Sequence, residues 1–215
     1  MKGKKMEPRT LEEKRSATVR LILDAATEVF AAVGFAGARV DDIARRAGVN
    51  KAMIYYRIGD KEALYGSVLH DVFSDTTNRI AGHIKKGQSP EENLKAYIYN
   101  MAKTMDNHPH VPPIMMREMA SGARDFPEIV INDLIRLLDI LSGILKEGVN
   151  TGTFIEVNPL VIHLMIVGAI MTFKKVKAIK ATQESFPEKL KGMVDGVSKD
   201  VSEDIMALIL RAVKT

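Results

Sequence analysis

The sequence predicts an all-α protein, and three observations carry this prediction. Apolar residues recur at positions i, i+3 and i+4 in one segment after another, which is the spacing of amphipathic helices. No segment shows the sustained alternation of β-branched and polar residues that is typical of half-buried strands. Clusters of Gly, Pro, Asn and Asp separate the periodic segments and indicate turns.

The first helix is predicted over residues 17–33. Its apolar residues fall at positions 21, 22, 25, 26, 29, 30 and 33, on one face of a helix. Gly34 is expected to end the helix, and Phe35 can fold back on the last turn as an apolar contact.

Two short helices follow. Asp41 and Asp42 favour the start of the second helix, because the helix dipole attracts negative charge there, and Gly48 ends it. Asn50 is a good N-cap for the third helix. The inward side of the third helix is predicted to comprise Val49, Ile54 and Ile58.

Further helices fill the remainder of the chain. Asp60 is expected to cap a fourth helix over residues 61–87. The others are predicted over residues 91–107, 112–122, 127–149, 158–181 and 188–213, the last one broken at Gly192 and Gly196.

Composition narrows the class of protein. The 215 residues contain no cysteine, which excludes disulfides, thiolate catalysis and cysteine zinc sites and fits a cytoplasmic protein. The basic N-terminus is followed by no apolar segment, so a secretory signal is not expected. The longest apolar run, residues 160–173, is shorter than the roughly 20 residues of a membrane span. We therefore expect no membrane association.

The positive charge is concentrated at one end of the chain. The first 20 residues hold seven basic and three acidic side chains, so they account for the whole formal charge of +4. Residues 1–16 are interpreted as a basic arm that could meet a polyanion, although a solvated tail would have the same composition.

The second and third helices resemble a helix-turn-helix, with its turn at residues 47–49. A helix of this diameter fits the major groove of DNA. Its outward side chains are predicted to be Lys51, Ala52, Met53, Tyr55 and Tyr56. Cations and hydroxyls there could bind phosphates, and small or apolar side chains could meet base edges. Exposed basic residues are common on short helices, so the spacing alone leaves DNA binding open.

Residues 21–65 resemble the DNA-binding domain of the TetR family of transcriptional regulators. The matching segments are AATEVF, GF, IARRAGV, IYYRI and DKEAL, in the order that the family has them. The resemblance implies a DNA-binding domain over residues 17–65 and a helical ligand-binding and dimerisation domain over residues 66–215. It also implies a ligand-responsive repressor that binds a palindromic operator as a homodimer.

The resemblance also implies roles for single residues. Tyr55 and Lys61 are expected to bind phosphate, and Lys51, Ala52, Met53 and Tyr56 to face the groove; Arg57 and Arg39 are further candidates for phosphate. Two positions depart from the family. Ala38 and Arg39 stand where Ser or Thr usually caps the second helix, and Ile58 stands where an aromatic residue usually closes the small core.

In the larger domain, two long apolar helices are implied to pair with their copies in a dimer. The residues assigned to this interface are Leu134, Leu138, Leu141, Leu145, Met165, Gly168 and Ala169. Gly168 and Ala169 would allow a partner helix to approach closely. The alternative is that both helices belong only to the internal core.

A pocket for a small, largely apolar effector is implied in the same domain. The candidate residues are Tyr97, Met101, Met105, Met115, Met119, His163 and Phe173. Flexible thioethers suit a site that adapts to apolar ligands, but methionine at helical spacing is also ordinary core.

Other classes of function find little support. His108 and His110 have no partner at ligand spacing, so no metal is expected, and no cofactor motif occurs. An enzyme would need a nucleophile and base, paired carboxylates or a phosphate loop, and none is evident. A protein that compacts DNA would spread its positive charge along the chain.

Overall fold

The computed structural model describes residues 11–85, 87–198 and 200–215, and side chains from residue 16 onward. The helices are α1 (Leu11–Gly37), α2 (Val40–Ala47), α3 (Lys51–Arg57), α4 (Lys61–His83), α5 (Pro90–Asn107), α6 (Val111–Ser121), α7 (Glu128–Asn150), α8 (Pro159–Thr182), α9 (Glu188–Asp195) and α10 (Val201–Val213). The all-α prediction is confirmed.

The first helix is longer than the sequence indicated. Residues 11–16, which were assigned to the basic arm, form the beginning of α1, whereas residues 1–10 lie outside the described part of the chain. Gly34 interrupts α1 with φ 74° and ψ 176°, so the chain turns at the residue predicted to end the helix. Phe35 then returns to the helix, with its ring 6.3 Å from that of Phe30.

The last predicted helix is divided in two, α9 and α10. The break falls between Asp195 and Val201, and it begins at Gly196, one of the two glycines that the sequence singled out. Gly192 lies within α9 and does not break it, whereas Gly196 follows the end of that helix. Asp200 begins α10 by accepting a hydrogen bond from the backbone N–H of Ser202 at 2.9 Å.

The chain forms two compact units, and each of them combines two separate stretches of the sequence. The first unit combines the described residues up to Asp71 with the segment Pro113–Val130. The second unit combines Val72–Pro112 with Ile131–Thr215. The segment 113–130 belongs to the first unit because its side chains contact α1 and α4 there. Arg117, for example, donates to the carbonyl of Ala32 at 2.8 Å. The functional boundary predicted at residue 65 stays a prediction.

The core of the first unit is aliphatic with an aromatic cluster at one side. Ile22, Ile43 and Ile54 are fully buried. The Tyr65 ring lies edge-on to Phe30, with 4.8 Å between the ring centroids, and 5.1 Å from Phe35. This cluster joins α1 to the start of α4.

The second unit is organised around α5, which packs against α8 and α10. Leu94 and Ile98 of α5 are fully buried. A polar contact also lies inside this unit, between the hydroxyls of Thr76 and Thr104 at 2.8 Å. The C-terminus is fixed to the loop after α7, where Ile155 donates to the carbonyl of Val213 at 2.8 Å.

Candidate functional site

The position of α3 is set by its own sequence. Gly48 ends α2 at φ 67°, in the left-handed region that glycine adopts without strain. Asn50 then caps α3, because its side-chain oxygen accepts from the backbone N–H of Ala52 at 2.9 Å. Ile54 is completely buried and fixes the inward side of the helix. The opposite side is thereby directed outward.

The outward side of α3 carries large side chains that nothing in the described chain covers. Tyr56 is 77% exposed, Tyr55 48% and Met53 37%. Lys51 and Ala52 are exposed as well. These are the five residues that the sequence assigned to the outward side, and the structure exposes all of them. Their contact with DNA stays a prediction.

The basic side chains near α3 have different interaction partners. The ammonium of Lys51 lies 2.9 Å from a carboxylate oxygen of Asp41 in α2. This hydrogen bond raises the pKa of Lys51. The guanidinium of Arg57 lies 5.3 Å from the centroid of the Tyr56 ring. Arg39 is exposed and, as expected from its side chain, makes no capping hydrogen bond to α2.

The ammonium of Lys61 makes hydrogen bonds and a ring contact within the protein. Its ammonium donates to the carbonyls of Phe35 at 3.0 Å and Ala38 at 3.4 Å, and lies 4.3 Å from the centroid of the Phe35 ring. The two carbonyls belong to residues 26 and 23 positions earlier in the chain, so no local sequence pattern predicts this contact. The predicted phosphate contact of Lys61 would have to replace these bonds.

A buried carboxylate in α6 is a feature that the sequence analysis missed. Glu118 is 4% exposed and accepts a hydrogen bond from the hydroxyl of Tyr65 at 2.7 Å. Its other oxygen is buried with no partner in the part of the chain that the structure describes. Burial and the bond to Glu118 raise the pKa of Tyr65. A glutamate within a mixed helix looks like a surface residue, so only the fold reveals it.

Five of the seven predicted ligand-binding residues lie in the second unit. Tyr97, Met101, Met105 and His163 are buried, and Phe173 is half-buried. The Tyr97 hydroxyl and the Nδ1 atom of His163 are 2.7 Å apart. Burial lowers the pKa of His163 and raises that of Tyr97, so both side chains are neutral near pH 7. This arrangement fits an internal hydrogen bond in the core as well as one wall of a ligand site.

The other two predicted ligand residues belong to the first unit. Met115 is half-buried, whereas Met119 is 66% exposed on the outer side of α6. The prediction that Met119 lines an enclosed pocket is therefore not supported. Helical spacing showed that Met119 could share a face with Met115, but it could not show which face is covered.

The predicted dimer residues fall into two groups. Leu141 and Leu145 are buried within the chain, at 0% and 3% exposure, so they have almost no surface for a second copy. Their assignment to the interface was wrong because the apolar face of α7 is broad and its deeper part fills the unit's own core. Leu134 and Leu138 are half-buried, and the structure exposes Met165, Gly168 and Ala169 of α8.

The exposed residues of α8 form a continuous apolar stripe. It comprises Val161, Leu164, Met165, Gly168, Ala169 and Thr172, at the spacing of one helix face. By length and hydropathy alone α8 could also cross a membrane, which differs from the expectation based on residues 160–173. An apolar face of this kind marks a contact with a protein or a membrane.

No cluster of three or more His, Asp or Glu residues that could hold a metal occurs among the described residues. His108 has an interaction of its own within the chain.

Comparison with known proteins agrees with the geometry of α2 and α3. Residues 22–68 match the family model of bacterial regulatory proteins, tetR family. The chain is 29% identical to the HTH-type transcriptional regulator RutR of Escherichia coli K12 over 151 residues, which cover 70% of this chain and 71% of RutR.

Two solved structures share the fold over most of their length. A TetR family transcription regulator from Marinobacter aquaeolei aligns with a TM-score of 0.72 and 18% identity, covering 95% of this chain and 99% of that one. The transcriptional regulator FadR from Bacillus subtilis, in complex with stearoyl-CoA, aligns with a TM-score of 0.67 and 23% identity, covering 89% and 97%.

Proposed function

We propose that this chain, a member of the TetR family of transcriptional regulators, is a homodimeric repressor that a small, largely apolar molecule releases from its DNA operator. Its relatives are transcriptional regulators and the family has no enzymatic activity, so the chain is not an enzyme. A repressor of this kind acts in the cytoplasm, where bacterial DNA lies.

The observation that carries the DNA-binding part is the outward side of α3. A short helix held by one buried isoleucine exposes two tyrosines and a methionine, although such side chains are usually covered. Tyrosine combines an aromatic ring with a hydroxyl, so it can contact sugar or base edges and also donate to a phosphate. The exposed side is therefore suited to a groove of DNA.

The homodimer is supported by the apolar stripe of α8. A charged or polar partner would leave the exposed side chains of Val161, Leu164 and Met165 without matching contacts, whereas a second copy supplies the same apolar surface. Gly168 and Ala169 in the middle of the stripe allow two helices to approach closely. A two-fold dimer in turn fits a palindromic operator.

The effector is supported by the buried side chains of the second unit. Met101 and Met105 have flexible, polarizable side chains that can rearrange around an apolar ligand. The neutral pair Tyr97 and His163 can offer one hydrogen bond to a polar group on it. Release requires that the effector binds the conformation with low DNA affinity more tightly than the other.

Selection of genomic DNA fragments by the purified protein tests the proposal. We expect a small number of palindromic sites to be recovered repeatedly, because base contacts from α3 favour one sequence over others. Uniform recovery of all fragments would contradict a specific regulator and would favour a DNA-compacting protein. Addition of long-chain fatty acyl compounds to the bound complex is then a first screen for release.

A further inference from the structure

The first residue of α3 is neutralised by a carboxylate on α2. The ammonium of Lys51 and the nearer carboxylate oxygen of Asp41 are 2.9 Å apart, and the two residues are ten positions apart in the chain. Both side chains are exposed, Lys51 to 44% and Asp41 to 63%. The pair therefore lies on the surface, beside the outward side chains of α3.

A carboxylate at this position is unfavourable for DNA binding. DNA carries about one negative charge for every 1.7 Å of its axis, so a carboxylate close to the backbone is repelled. The same carboxylate also pairs with the ammonium of Lys51, which could otherwise bind a phosphate. Two effects of Asp41 thus act in the same direction, against binding.

The pair is also weak enough to be exchanged. Exposed ion pairs contribute little to stability, since water and salt screen both charges. A phosphate competes well for an ammonium, because the surrounding field of the duplex strengthens the contact. Lys51 can therefore leave Asp41 when DNA is present without loss of the fold.

We propose that Asp41 competes with DNA phosphate for the ammonium of Lys51 and so lowers the affinity of the free protein for DNA of any sequence. This inference rests on the proposed DNA binding. A carboxylate beside α3 would then favour specific binding, because weaker binding to bulk DNA leaves more protein available for the operator.

Asp42 provides a matched control. It is the next residue of α2, it has the same charge, and it pairs with Arg45 at 2.7 Å, three residues along the same helix. Replacing either acid by its amide removes one negative charge and releases one cation. Only Asp41→Asn releases the cation of α3.

The experiment measures binding to a mixed-sequence duplex of about 30 base pairs, roughly three helical turns, by fluorescence anisotropy between about 50 and 200 mM salt. We expect Asp41→Asn to bind about two- to fivefold more tightly than Asp42→Asn. In the Lys51→Ala background the two amide variants should bind equally.

Three results would contradict the inference or its premise. If Asp41→Asn binds more weakly than Asp42→Asn and also unfolds at lower temperature, the pair holds α2 against α3 and does not compete with DNA. If the advantage of Asp41→Asn persists in the Lys51→Ala background, it comes from repulsion alone. If the unaltered protein does not bind the duplex at low salt, the proposed DNA binding itself is wrong.

Discussion

Helices α3 and α8 have one buried and one exposed side each, and the exposed sides differ in chemistry. On α3 the exposed residues are tyrosines, a lysine, a methionine and an alanine. On α8 they are aliphatic or small, with no charge from Val161 to Thr172. A surface that mixes hydroxyls and cations with apolar groups suits a nucleic acid, whereas a purely apolar one suits a copy of itself. The exposed fractions alone do not separate these two proposed roles.

The largest expected effect is on the exposed side of α8. Met165→Asp places a carboxylate in the proposed interface of both copies, and burial of an unpaired charge is costly. We expect the dimer to weaken by about a hundredfold or more, which corresponds to roughly 3 kcal/mol. Sedimentation velocity over a range of protein concentrations measures this change.

Leu208→Asp is the control for that variant. Leu208 lies on α10 and is 65% exposed, so it receives the same substitution on a surface that we do not assign to the interface. The control should remain dimeric. If both variants behave like the unaltered protein, the stripe of α8 is covered by something other than a second copy.

A second pair of variants compares the two sides of α3. Ile54→Ala removes a fully buried side chain and should lower the free energy of unfolding by about 2–5 kcal/mol. Tyr56→Ala, two residues later, should change it by no more than about 0.5 kcal/mol, because the ring is 77% exposed, yet should weaken operator binding. Urea unfolding and DNA titration measure the two quantities.

The contrast between these variants is the test. Equal loss of stability in Ile54→Ala and Tyr56→Ala would mean that the Tyr56 ring packs on the protein. Unchanged operator binding in Tyr56→Ala would mean that another side of α3 faces the DNA.

The features that the sequence predicted well around α3 are local ones. Gly48, Asn50 and Asp60 act on backbone groups within a few residues of themselves, so their types and spacing were sufficient to place the turn and both helix starts. The outward side followed from the buried position of Ile54. These predictions needed no knowledge of the rest of the chain.

The features that it predicted poorly depend on distant contacts. Lys61 binds carbonyls more than 20 residues away, and Glu118 meets Tyr65 across 53 residues. Likewise, the apolar spacing of α7 could not show that Leu141 and Leu145 face the core of their own unit. Periodicity defines a face, but tertiary packing decides what covers it.

The smallest effect is expected on the buried side of α8, from His163. Burial lowers its pKa in the folded protein below the value of about 6.5 that applies when the chain is unfolded. The contribution of neutral His163 to the free energy of unfolding is therefore fully present above about pH 6.5. It decreases as the pH falls below that value. The slope cannot exceed about 1.4 kcal/mol per pH unit for one group.

Thermal unfolding between about pH 5 and pH 7.5 measures this loss. His163→Gln keeps a polar partner for Tyr97 but cannot take up a proton, so its unfolding temperature should depend less on pH. His83→Gln is the control, because it makes the same substitution at a histidine that is exposed at the end of α4. We expect His163→Gln to change the pH dependence of the unfolding temperature more than this control does. A pH dependence that survives in His163→Gln would show that other groups cause it.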